Sequence, residues 1–306
     1  MQDRPGRAGR RHVATTTVRS SGVSARGLVK PAFRRPQKRL PYPFGLYQSA
    51  VGKKWVMGVT GLMLMGFVLV HMIGNLHMYE GPAKFNEYAE ALRTLGGHFI
   101  PREWALWGLR AGLLGAVALH IHSAVTLTRI NRAARPTRYQ ASRRYRVANT
   151  SSRSMRLTGL VVILYVLFHL ADLTWGRIFP DTYIYGDVYN NVVQSLSNVP
   201  VAIIYIVANV ALAVHLRHGA WSLFQSLGWN NPKFNAARRT FANGFAAIIL
   251  IGNLSFPIMT LAGVVSQDER TAPCHLLDGE PTDICLGDEA KAQFDPTAVA
   301  KEGAKK

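Results

Sequence analysis

The sequence predicts an all-α membrane protein: five transmembrane helices in a bundle, with the N-terminus cytoplasmic and the C-terminus extracytoplasmic. Two observations predict it. Of the 306 residues, 48% are hydrophobic, and the apolar ones gather into five stretches of about 20 residues, the length that crosses a bilayer core as a helix. The basic residues gather on alternate sides of those stretches, as the positive-inside rule requires.

Residues 1–44 are rich in Arg, Pro, Ser and Gly and read as a basic cytoplasmic tail, disordered until bound. Their Arg- and Ser/Thr-rich, nearly acid-free composition resembles a mitochondrial transit peptide, but the plainer reading is the tail of a multi-pass protein of the bacterial plasma membrane. The apolar run that begins near Trp55 is too long for a signal peptide. The membrane domain, 45–264, holds spans at 55–78, 104–128, 157–176, 199–216 and 241–264. Arg110, His120 and His122 interrupt the second, and the fourth is short. Residues 265–306 form an acidic extracytoplasmic tail.

Charge sets the orientation. The first 54 residues carry thirteen Lys/Arg against one Asp, and the loop from Arg129 to Arg156 holds nine arginines and no acid. Arg217, Lys233, Arg238 and Arg239 follow the fourth span, so 26 of the 36 basic residues fall on one side of a five-span chain. The net charge of +19 therefore reports topology, and without a recognisable binding module it does not indicate nucleic acid. Anionic membrane lipid is a natural partner for such loops. Cys274 and Cys285, the two cysteines, fall in the outer tail. A disulfide between them suits an oxidising compartment; two unpaired thiols are the alternative.

Four histidines lie inside the apolar spans: His71, His120, His169 and His215, one in each of the first four. An ionisable side chain at membrane depth is costly and usually faces a bundle interior. At 1.5 Å per residue, His71 and His169 lie roughly 24 and 18 Å from the inner edge, and His120 and His215 roughly 21 and 24 Å from the outer edge. That makes two layers, His71 with His169 outside and His120 with His215 inside. Imidazole is a common axial ligand of haem iron, and two such pairs could hold two stacked b haems. Ala116, Ala124, Ala211 and Gly219 leave room beside the inner pair. His122 points away from His120, and His218 sits at the cytoplasmic edge, within reach of a haem propionate or water.

The run Ser49-Ala-Val-Gly-Lys-Lys-Trp-Val-Met-Gly-Val-Thr-Gly61, continuing through His71-Met-Ile-Gly-Asn75 to Phe85-Asn-Glu-Tyr-Ala89, resembles the di-haem cytochrome b membrane anchor of succinate dehydrogenases and fumarate reductases. So do Leu119-His120-Ile-His122 and His215-Leu-Arg-His218-Gly-Ala-Trp-Ser-Leu-Phe-Gln-Ser-Leu-Gly228. The resemblance covers about residues 45–264. It implies five membrane helices and two haem b groups, one held by His71 and His169 and the other by His120 and His215. It also implies electron transfer from an iron–sulfur subunit, itself fed by a flavoprotein that oxidises succinate, to a membrane quinone, with menaquinone expected. Both soluble subunits would dock on the cytoplasmic face, where the stretch Trp221–Trp229 is a candidate surface, and the complex could associate further. The chain has no Rossmann fingerprint and no cysteine cluster, so it does not act on succinate alone.

For quinone and its protons the candidates are Asn75, Glu87, Tyr88, Glu90 and Asp172. Where some relatives place a proton-conducting Glu two residues before the corresponding histidine, this chain has Ala213. Arg110 could meet a haem propionate or snorkel to the interface. Two other classes remain: a haem-free structural anchor whose histidines bond between helices, and a metal-ion transporter with a histidine-lined pore. An aliphatic gap between the histidine layers suits haem better than a continuous ion path.

Overall fold

The computed structural model describes residues 41–42, 44–134, 150–229, 231–268, 276–277 and 280–281. Most of the basic tail, the centre of the arginine-rich loop, and both cysteines with their expected disulfide lie outside the described residues. Among the described residues the regular structure is helical apart from one short antiparallel pairing, β1 (Leu276–Leu277) with β2 (Glu280–Pro281).

A short helix, α1 (Phe44–Gln48), turns sharply into α2 (Ala50–Asn75). Ser49 makes the corner: its hydroxyl accepts from Gly52 N at 2.9 Å and donates to Leu46 O at 2.8 Å. Lys53 Nζ then donates to Tyr47 O at 2.7 Å and Gln48 O at 3.3 Å, satisfying carbonyls that a helix end leaves open. Any Cβ at Gly52 would collide with Leu46 O. The Ser-x-x-Gly-Lys pattern is therefore a corner, in which each residue has a structural task.

From α2 the chain passes through a 3-10 turn, Leu76–Glu80, into α3 (Pro82–Arg93) and on to α4 (Trp104–Ala133). Helix α5 (Thr150–His169) runs into a π-helical turn at Leu170–Thr174; α6 (Val188–Ser197), α7 (Val199–Ser226) and α8 (Asn235–Leu261) follow. Five of these segments are long and apolar enough to cross a membrane: Ala50–Glu80, Trp104–Ala133, Ser154–Thr174, Val199–Ser226 and Pro232–Leu261. Helix α2 packs on α4, α5 on α7, and α8 on α7, while α2 also touches α7 and α8. Met65, Met72, Tyr205, Leu212, Leu216 and Ile249 are buried among them, whereas Leu114, Leu164, Val207 and Ile251 face outward. Helix α8 comes close to α2 because Gly252 has no Cβ to strike Met72 Sδ.

The five expected spans are present, but their ends move. Helix α7 does not stop at Leu216; it continues to Ser226 through a polar turn in which Arg217 Nε donates to Asn243 Oδ1 at 2.7 Å. Helix α8 starts at Asn235 rather than 241, because buried Arg238 donates to Trp229 O at 2.8 Å and Asn231 O at 3.2 Å and draws the turn tight. The stretch Trp221–Trp229 is thus the end of α7 and its turn. At the opposite end of the bundle, called here the far end, α3 and α6 are clipped together. Asn86 Nδ2 donates to Asp187 Oδ1 at 3.1 Å, and Asn86 Oδ1 accepts from Tyr189 N at 3.0 Å.

Candidate functional site

The four span histidines stand at two levels of the bundle. At the far level, His71 on α2 and His169 at the end of α5 face each other, with ring centres 5.9 Å apart and planes at 73°. At the near level, His120 on α4 touches Thr60 and Gly61 of α2, and His215 on α7 touches Thr158 and Gly159 of α5. The titratable neighbours of His215 include His120 and His218.

These contacts expose an internal repeat. Residues 57–71, MGVTGLMLMGFVLVH, and 155–169, MRLTGLVVILYVLFH, share seven of fifteen positions: Met, Thr, Gly, Leu, Val, Leu and His. The shared residues do the same work in each half. A Cβ on Gly61 would lie 3.4 Å from His120 Cε1, and one on Gly159 would lie 3.3 Å from His215 Cε1. Each glycine lets a histidine of the next helix lie flat against its own. Phe67 stacks on His71 at 5.3 Å, and Tyr165 sits 5.8 Å from His169. The rise from Thr60 to His71, and from Thr158 to His169, separates the two levels by roughly 16 Å.

The hydroxyl partners determine which ring nitrogen carries the proton. Thr60 Oγ1 donates its one proton to Val56 O at 2.7 Å, so toward His120 Nδ1, at 3.2 Å, it can only accept. Thr158 bonds back to Ser154 O and Met155 O, both at 3.2 Å, and meets His215 Nδ1 at 3.4 Å. The carbonyls of Met57 and Met155, which cannot donate, also bond these two rings. At the far level Tyr205 Oη donates to Asp172 Oδ2 at 2.8 Å and stands 3.3 Å from His169 Nδ1. Each of the three rings can then bond its hydroxyl only by donating from Nδ1, the tautomer that leaves Nε2 with a lone pair. This is the arrangement that hydrogen-bond acceptors impose on metal-binding imidazoles.

The residues fit a haem iron. An imidazole nitrogen lies about 2.0–2.1 Å from a bound transition metal, so two imidazoles on opposite sides of one ion have ring centres roughly 6 Å apart. The His71–His169 separation, 5.9 Å, is of that size. At Gly219, one turn beyond His215, an added Cβ would meet nothing within 4 Å, so a flat ring has access there.

The other candidates separate into groups. His218 is half-buried on α7, and His122 turns away to bond Tyr47 Oη on α1. Arg110 is exposed on α4 with its guanidinium 4.9 Å over the Trp107 ring. At the far end Asn75 is half-buried, and Tyr88 packs on Gly74 with its ring 4.9 Å from that of His77. Glu87 is exposed and paired to Lys84 at 2.9 Å, and that hydrogen-bonded ammonium holds its carboxyl below the ordinary value. Glu90 is clamped by Arg102 and bonded by Arg93 at 3.4 Å. Asp172 is buried apart from these, bonded by Ser195 and Tyr205. Thr60, Thr158, Tyr205, Gly61 and Gly159 were not among the expected site residues; the repeated Met-x-x-Thr-Gly-Leu was the signal that could have found them.

Residues 128–254 match the family described as the succinate dehydrogenase/fumarate reductase transmembrane subunit. The match bears out the resemblance to the membrane anchor of that complex. No curated protein and no solved structure matches the chain.

Proposed function

The chain groups with the succinate dehydrogenase/fumarate reductase transmembrane subunits over residues 128–254, and from that premise we propose that it is the two-haem cytochrome b of such a complex. In this role it carries electrons between an iron–sulfur subunit, fed by a flavoprotein, and a membrane quinone of the menaquinone type. The observation that supports it best is the matched set of hydroxyl acceptors, which leaves Nε2 of His120, His215 and His169 free for iron. His120 with His215 would hold one haem and His71 with His169 the other. Each haem, when bound, supplies one-electron transfer at a potential set by its ligands and their hydrogen bonds.

The remaining work falls to the chain's own residues. Thr60, Thr158 and Tyr205 hold the ring planes, and Gly61 and Gly159 set how deeply the near histidines seat. His218 and Arg110 would meet propionates, one at each level. Asn75 and Tyr88 border the far end, where a quinone headgroup would take up protons. Glu87 and Glu90, each ion-paired, would deliver them from water. Purified complex should show a b-type reduced-minus-oxidised spectrum with two haems per chain. A complex that assembles without a b-type signal would overturn the assignment in favour of a haem-free anchor.

The near end, with the basic residues, faces the cytoplasm in this reading. The tail 1–44 and the docking surface for the soluble subunits lie there, and residues 265–306 lie outside. A reporter active only in the cytoplasm should work when fused after Arg143 and fail after Asp288. The opposite pattern would exclude this orientation.

A further inference from the structure

The two halves of the repeat diverge just past the far histidines. At the position of the second half that corresponds to Gly74 of the first stands Asp172, a carboxylate only 3% exposed. Burying such a group at membrane depth is costly even when it is hydrogen-bonded. Packing alone would be served as well by an apolar residue.

Its surroundings show what it does. The turn that follows His169 is wider than an α-helix: Trp175 N donates to Leu170 O at 2.9 Å and Arg177 N to Ala171 O at 2.7 Å. Such π-type turns often mark functional sites. Here the turn delivers Asp172 to the junction with α6 and α7. Oδ2 accepts there from Ser195 Oγ and, at 2.8 Å, from Tyr205 Oη. The Tyr205 ring is held edge-on by Tyr165 at 5.3 Å and Phe168 at 6.1 Å, so its hydroxyl has little freedom to turn elsewhere. With its single proton spent on Asp172, that oxygen presents a lone pair to His169 Nδ1–H at 3.3 Å. At the near level the corresponding hydroxyls, Thr60 and Thr158, spend their protons on backbone carbonyls and meet no carboxylate.

We propose that Asp172 is a positioning residue for His169. Acting through Tyr205, it fixes the ring and its tautomer and makes the far site electronically distinct from the near one. This rests on the haem reading above. An acceptor on Nδ1–H makes the imidazole a stronger donor, which favours the oxidised iron. Removing the acceptor therefore raises the reduction potential of the far haem.

The experiment is a redox titration of the purified complex, with low-temperature electron paramagnetic resonance of the oxidised haems. His169→Ala identifies the far haem by its loss. Tyr205→Phe keeps the ring and its packing, so both haems should remain bound. The far haem should shift to higher potential with an altered resonance, and the near haem should be unchanged. Asp172→Leu should move the far haem in the same direction. Asp172→Asn, which keeps an acceptor for Tyr205, should restore wild-type behaviour. Unchanged far-haem signals in Tyr205→Phe overturn the proposal and leave the haem assignment standing. An equal shift of both haems, or an Asn variant as displaced as the Leu one, overturns it too. A wild-type complex without haem overturns the underlying reading instead.

Discussion

Replacing His120 or His215 with alanine will remove one and the same b-type haem, and replacing His71 or His169 will remove the other. Each substitution should halve the haem content, because in the proposed reading each level of the bundle would hold one ligand pair. At the far level the pair is direct, with rings 5.9 Å apart. At the near level the two rings are seated by equivalent Thr-Gly steps on α2 and α5. Loss of a haem also removes a large packing element from the core, so protein level should be measured beside haem content. Two distinct spectra, grouping His71 with His169 and His120 with His215, are expected. Grouping by neighbouring spans, His71 with His120, would exclude the pairing.

A leucine at Gly159 should abolish or strongly weaken the near haem although every ligand is kept. Even a Cβ at that position would lie 3.3 Å from His215 Cε1, tighter than ordinary contact, and a leucine is larger still. Overpacking of this kind costs about 1–3 kcal/mol, and disturbing a ligand's supporting shell typically lowers metal affinity roughly 10- to 100-fold. Gly61→Leu should do the same through His120. Gly66 is the control: it lies on α2 where an added Cβ meets nothing within 4 Å, and its leucine variant should keep both haems. Haem-to-protein ratio after gel filtration reads the result. Full occupancy in Gly159→Leu would show that the near histidines are not seated on these glycines.

The existence of the five spans was legible because lipid selects for apolar runs, and those runs are unmistakable in composition. Their ends were not, since a helix obeys backbone geometry rather than the edge of the hydrocarbon. Helix α7 therefore carries Arg217, His218 and Ser222 onward in regular helix to Ser226. The amphipathic pieces α3 and α6 were missed because neither is long, and much of what holds them is Asn86 reaching Asp187 and Tyr189, a contact that spans about a hundred residues. The histidine levels could be counted from helix rise alone. Their supporting hydroxyls could not, because a lone Thr in an apolar helix ordinarily just bonds its own backbone. Thr60 and Thr158 do that and also receive a histidine; the repeat marks the two threonines, and packing shows their second role.

The repeated segment also has a register. Thr60 and His71, like Thr158 and His169, are eleven residues apart, and eleven steps of 100° bring a helix back to within about 20° of its starting face. One stripe of α2 therefore serves both levels, receiving a histidine from a neighbour at one and presenting its own at the other, and one stripe of α5 does likewise. Between these fixed points six of the ten side chains differ between the two copies. The number of residues does not. A single insertion would swing His71 or His169 by about 100° away from the other, so the segment can vary in composition but is locked in length.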